Sequence, residues 1–182
     1  MIKMMIKPWP ALMFWLLKQN KLFMVFQPKL DLKSGQCKQV EALIRWQHDS
    51  LGLISPNEFI PLAEQTGMIN ILSTWVLDNV LAQQVKWRNT GVYVNVAINL
   101  SSTDLDNPNL AADVASKLAQ YLVPAESITI EITESVLMKS LAQTIVTLNQ
   151  LRDIGVKLAI DDFGTGHSSL AYLRHLPVDE VK

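Results

Sequence analysis

From residue 92 onward the chain alternates two kinds of segment: "VYVNVAINL" (92–100), "NLAADVASKLAQYL" (109–122), "SITIEIT" (127–133), "SLAQTIVTLNQLRDIG" (140–155), "VKLAIDD" (156–162), "SSLAYLRHL" (168–176) and "VDEVK" (178–182). The short runs rich in β-branched residues read as strands, and the longer runs with apolar residues three and four apart read as helices. Strands separated by helices run parallel, because the helix returns the chain to the end of the sheet where the next strand starts. An open doubly wound sheet and a closed (β/α)8 barrel both satisfy this α/β pattern. No Gly-x-Gly-x-x-Gly follows the first strand, which argues against a dinucleotide-binding sheet.

The first half of the chain reads differently. "LFMVFQPKLDL" (22–32) and "KQVEALIRW" (38–46) are β-rich and flank a turn containing Gly35, so these two strands are expected to pair antiparallel. Ser55 is placed to cap a helix that has Pro56 at its first position and ends at Gly67. A second helix follows, with Ile71, Trp75, Leu77, Val80, Leu81 and Val85 as its expected core stripe, and stops at Gly91.

The 182 residues carry 16 basic and 17 acidic side chains, a formal charge of −1. That leaves no basic field to attract a nucleic-acid polymer, and any nucleotide ligand should be small. Cys37 is the lone cysteine, which excludes an internal disulfide and points to a reducing cytoplasm. The apolar run from Pro8 to Leu17 contains two prolines and falls short of the roughly 18 residues that a membrane span requires. Residues 1–20 therefore read as a linker or divergent segment, and 21–182 as the folded domain.

Chemistry concentrates where strands end. In "KLAIDDFGTG" (157–166) two adjacent carboxylates precede two glycines. Asp161 and Asp162 repel unless a cation lies between them or one stays protonated, although Asp-Asp-x-Gly is also a common turn. The Asp-Phe-Gly triplet is not a kinase's, since the upstream kinase motifs are missing. Period two puts Glu41, Leu43 and Arg45 on one face of their strand, and gives Asn99, Glu131 and Asp161 equivalent faces of theirs. Asn99, Glu131 and Asp161 recur at intervals of one βα unit, and neighbouring strands lie about 4.8 Å apart, so these side chains can converge. With Glu41 they offer an all-oxygen site suited to Mg²⁺ or Mn²⁺ and unlike a zinc site. Alone, Asn99 followed by Ser101 reads as a helix cap.

Taken in order, "FQP" (26–28), "EALIRW" (41–46), "PNEFIPLAEQTG" (56–67), "VAINLS" (96–101), "EITES" (131–135) and "DDFGTGHSSL" (161–170) make the chain resemble the EAL domain family of cyclic di-GMP phosphodiesterases. The resemblance implies a TIM-type (β/α)8 barrel with an antiparallel strand near its start and a ligand site at the C-terminal strand ends. It implies that Glu41, Asn99, Glu131 and Asp161 hold one metal, that Asp161 and Asp162 help to hold a second, and that Gln27, Leu43 and Arg45 meet the substrate. Lys182 matches the family's lysine beside the attacking water. Gly164 and Gly166 would shape a loop linked to dimerisation, and His167 stands where many members have tyrosine. His48 and His175 read as surface residues.

About five to six strands are legible, fewer than a closed barrel needs, so the domain is expected to be incomplete, either as a fragment or as a natural truncation. An unfinished edge is expected to leave Lys182 frayed and this chain alone without sustained hydrolysis. Two classes of function stay open. One is a metal-dependent phosphodiesterase opening cyclic di-GMP to linear pGpG, homodimeric in its parent and joined there to an upstream, membrane-bound sensor. The other is a noncatalytic module that binds cyclic di-GMP or a partner protein.

Overall fold

The computed structural model describes residues 21–134, 136, 141–164 and 176–182. In chain order the described elements are β1 (Leu22–Leu30), β2 (Cys37–His48), β3 (Gly52–Ile54), α1 (Pro56–Gln65), α2 (Ile69–Asn89), β4 (Asn95–Asn99), α3 (Ser102–Leu105), α4 (Leu110–Tyr121), β5 (Ile128–Thr133), α5 (Leu141–Asp153), β6 (Lys157–Asp161) and β7 (Glu180–Val181). The expected N-terminal linker lies outside the described residues, as do Ser135, Gly166, His167, His175 and all but the last residue of the expected helix 168–176.

One sheet carries the architecture, in the order β1-β2-β4-β5-β6-β7 with β3 paired to β2. β1 and β3 run antiparallel to β2, and every neighbour pair from β2 to β7 is parallel. This is the α/β arrangement of a TIM-type barrel with an antiparallel start. Among the described residues it is incomplete, since β1 and β7 are the two ends of the sheet.

Strand β3 was not expected from the sequence. Three residues are too few to show alternation, and only the pairing Trp46↔Ile54, Gln47↔Leu53 and His48↔Gly52 reveals them.

Alternation divides the sheet into two faces. Val40, Ala42, Val96, Ile98, Ile128, Ile130, Ile132, Leu158 and Ile160 are buried with Val80 and Leu81 of α2, Leu110, Val114 and Leu118 of α4, and Leu148 and Leu151 of α5. Burying each such side chain fully is worth about 2 kcal/mol. The opposite face carries Gln27, Lys29, Gln39, Glu41, Leu43, Arg45, Asn99, Glu131 and Asp161, the polar set that a barrel turns inward.

Helix ends follow the sequence closely. Ser55 caps α1, its Oγ accepting from Asn57 N at 3.3 Å, and Gly67 takes φ +69° just beyond the helix. The core stripe of α2 is rotated from the expected one: Ile69, Leu72, Val76, Val80, Leu81 and Gln84 are buried, while Ile71, Trp75, Leu77 and Val85 are only partly so. Gln84 explains the rotation. Its amide nitrogen donates to Val94 O at 3.1 Å and Ser127 O at 3.3 Å, and its Oε1 accepts from Ser127 Oγ at 2.9 Å. The helix thus satisfies irregular backbone ahead of β4 and β5, a polar task that hydrophobic periodicity cannot register.

Candidate functional site

Strand register sets the site. Asn99 lies directly opposite Glu131 on the adjacent strand. Glu41 pairs with Ala97, two residues before Asn99, and Asp161 pairs with Thr133, two residues after Glu131. The candidates therefore climb across the sheet as a staircase, the stagger that tilted barrel strands impose.

Asn99 Nδ2 donates to Glu41 Oε1 at 2.9 Å, so Asn99 joins the site and Ser101 does the capping. Ser101 Oγ accepts from Asp104 N at 3.2 Å, and the Asp104 carboxylate accepts from Ser101 N at 2.9 Å, closing a capping box on α3. The cap lies two residues past Asn99 and fixes where β4 ends.

Glu131 is completely buried. Its Oε1 accepts hydrogen bonds from Lys29 Nζ at 2.7 Å and from Lys182 Nζ, and Lys29 Nζ also lies 3.6 Å from Glu41 Oε2. Its Oε2 is buried without a hydrogen-bond partner among the described residues. An orphaned buried carboxylate oxygen is costly, and a cation is the partner that would relieve it. Among the described residues no three His, Cys, Asp or Glu side chains form a group ready to chelate an ion. Instead, ammonium groups separate the carboxylates and balance their charge. With this orphaned oxygen and an all-oxygen donor set, the residues fit a divalent hard cation.

Lys29 is the site residue that the sequence reading missed. It pairs with Gln39 just before a register irregularity between Lys29 and Leu30, and the two-residue step from Gln27 puts it on the site face. Burial pulls its pKa down, but the hydrogen bond to Glu131 and the fields of Glu131 and Glu41 outweigh this, and the net shift is upward from the ordinary lysine value.

Lys182 is pinned, contrary to the expectation of a frayed end. Its N–H donates to Ile160 O at 2.9 Å, and its carbonyl accepts from Phe163 N at 3.0 Å. Just before it, Asp179 bonds Leu158 through both N–H and carboxylate, at 2.8 and 2.9 Å. Both Lys182 bonds run to β6 and the residues just after it, so the backbone of Lys182 is tied to the adjacent strand.

Asp162 follows at φ +57°, a left-handed conformation that Asp tolerates better than most residues. Gly164, at φ +90°, donates its N–H to Glu134 Oε2 at 2.8 Å. The buried Glu134, inside "EITES" but not singled out from the sequence, thereby ties the end of β5 to the loop after β6.

Leu43 and Arg45 line a cavity of about 370 Å³ together with Asn99, Thr133, and Pro56 and Asn57 of α1. Arg45 Nη1 donates to Ile44 O at 2.9 Å. Gln27 is exposed and pairs in register with Glu41. The structure thus gathers Glu41, Asn99, Glu131, Lys29 and Lys182 into one contact network, with Leu43 and Arg45 beside it and Asp161 and Asp162 at its upper rim. No helix among the described residues is long and apolar enough to cross a membrane.

The family profile described as the EAL domain matches residues 13–182. A bifunctional diguanylate cyclase/cyclic di-GMP phosphodiesterase, MucR, from Pseudomonas aeruginosa is 40% identical over 167 residues, covering 91% of this chain and 24% of MucR. The cyclic di-GMP phosphodiesterase NbdA of the same organism is 42% identical over 167 residues, covering 91% of this chain and 21% of NbdA. The chain thus spans about a quarter or less of these curated relatives. The solved structure of the PaMucR phosphodiesterase in complex with c-di-GMP superposes with a TM-score of 0.88 at 38% identity, over 94% of this chain and 70% of that one.

Proposed function

Since this chain belongs to the EAL domain family, we propose that it forms the metal- and substrate-holding part of a phosphodiesterase that hydrolyses cyclic di-GMP to linear pGpG. The observation that carries this reading is the buried Glu131, with one orphaned oxygen, meeting Glu41, Asn99, Lys29 and Lys182 from five different segments of one sheet face. Structural ion pairs alone need no such convergence of acids and bases on one concave face, whereas phosphoryl chemistry does.

In the reaction a water oxygen bonds to phosphorus, the bond from phosphorus to one ribose oxygen breaks, and a water proton ends on that leaving oxygen. Glu41, Asn99, Glu131 and Asp161 would hold one Mg²⁺ or Mn²⁺, with Asp161 and Asp162 contributing to a second. Such ions, when bound, supply Lewis acidity toward the phosphate and lower the pKa of water. Asn99 orients the Glu41 carboxylate through its 2.9 Å hydrogen bond. Lys182, held by its own ladder bonds, offers a fixed ammonium beside Glu131 to position the attacking water. Arg45 supplies a guanidinium for a substrate phosphate, with Gln27 and Leu43 as further substrate contacts.

The relatives' greater length supports a parent protein with additional segments, among them a sensor, and a homodimeric parent belongs to the same proposal. The described sheet is open between β1 and β7, which supports the expectation of no sustained turnover by the 182-residue chain on its own.

The test is nucleotide analysis after incubating the parent protein with cyclic di-GMP and Mg²⁺. Linear pGpG from wild type and none from Glu41→Ala supports the reading, and steady turnover by Glu41→Ala refutes the first metal position. Ca²⁺ in place of Mg²⁺ should give little product, because its longer, looser bonds misplace the reacting groups. Binding of cyclic di-GMP without product under every metal condition would assign the chain to noncatalytic binding instead.

A further inference from the structure

The ammonium of Lys29 bridges two carboxylates that are not neighbours in the sheet: Glu41 is on β2 and Glu131 on β5, with β4 between them. It lies 2.7 Å from Glu131 Oε1 and 3.6 Å from Glu41 Oε2, between two of the acids assigned above to the metal. We propose that Lys29 is a built-in competitor of the metal: it occupies the cation position between Glu41 and Glu131, is displaced when a divalent ion binds, and so sets how tightly that ion is held. This inference rests on the metal-site reading above and goes beyond it by naming the group that regulates occupancy.

Three observations support it. First, charge and position coincide. The Lys29 ammonium lies between the Glu41 and Glu131 carboxylates, so a divalent ion held by those two acids would meet its positive charge at close range. Second, Lys29 has a way out. Its side chain is 27% exposed, whereas Glu131 is fully enclosed, so the lysine can swing toward solvent while the carboxylate stays. Third, the backbone aims it inward: the two-residue step from Gln27 puts Lys29 on the face that carries Glu41. Lys182 does not serve the same purpose, because among the described residues it pairs with Glu131 and does not bridge to Glu41.

The experiment measures Mn²⁺ binding to the full chain by calorimetry, together with the melting temperature of the metal-free protein, for wild type, Lys29→Met, Lys29→Gln and Lys29→Arg. Removing a like charge within a few ångströms of the ion should tighten Mn²⁺ binding about tenfold or more in Lys29→Met and Lys29→Gln. Lys29→Arg keeps the charge and should bind as wild type does. Metal-free Lys29→Met should melt lower than wild type, and saturating Mn²⁺ should close that gap. Unchanged or weaker Mn²⁺ affinity in both neutral variants, with wild type binding normally, overturns the competitor role and leaves the metal site standing. Absence of Mn²⁺ binding in wild type and all variants overturns the metal site itself and this proposal with it.

Discussion

Glu131 became interpretable only with its neighbours in place. From the sequence it was one of three oxygen-bearing residues a βα unit apart, and nothing in "TIEIT" distinguishes a solvated glutamate from one that is fully enclosed. Lys29 was harder still. In "FQPKLDL" it reads as an ordinary lysine on an edge strand, and only the antiparallel pairing of β1 with β2 and the hydrogen bond across the sheet face show its amine at Glu131. Asp104 shows a polar residue whose role is structural. It is buried and accepts from Ser101 N, Ser101 Oγ and Ser73 Oγ at 2.9, 2.7 and 2.9 Å, tying the end of β4 to α3 and α2. Asp104→Ala should lose the capping box and strand those buried donors, lowering stability by about 2 kcal/mol in urea denaturation. Because Asn99 stands at the end of the strand thus anchored, Mn²⁺ affinity should fall in the same variant.

At the scale of elements, alternation and capping made most of the described sheet and helices legible, because helices with a clear apolar repeat lie between β4 and β5 and between β5 and β6. What stayed hidden was non-local. The three residues of β3 show themselves only by pairing, the stripe of α2 is turned by the bonds of Gln84, and Lys182 is held by β6 rather than by anything next to it in sequence. The β1–β2 turn offers a pH test. Asp31 accepts from Lys33 N at 2.8 Å and Ser34 N at 3.4 Å, which, with the Lys33 bond first, holds its carboxyl below the ordinary aspartate value. A depressed pKa means that the turn's contribution is present above the unfolded value, near pH 4, and is lost as pH falls through the lower folded value. Asp31→Asn should therefore lower the melting temperature slightly at pH 7 and converge with wild type in strong acid, measured as melting temperature against pH.

For the whole molecule, the apolar face of the sheet packs against the helices and the opposite face carries the candidate site. Val80, Leu81, Leu148 and Leu158 are fully buried on one side, while Glu41, Asn99, Glu131 and the two lysines meet on the other. Substitutions in the first set should act on stability, and Leu148→Ala should cost about 2–5 kcal/mol in denaturant titrations. Substitutions in the second should act on metal and substrate with little loss of fold. The family architecture was readable from the ordered motifs, whereas the ion-pair network around Glu131 was not, because it depends on side chains brought from opposite ends of the chain. The most direct test of the account is a comparison of wild type with Glu131→Gln in the parent protein, following cyclic di-GMP and pGpG in Mg²⁺ while checking the fold by circular dichroism. The account predicts pGpG from wild type and at least about a thousandfold less from a folded Glu131→Gln, because that residue's charge is the anchor of the metal site. Turnover by Glu131→Gln at the wild-type rate would contradict it.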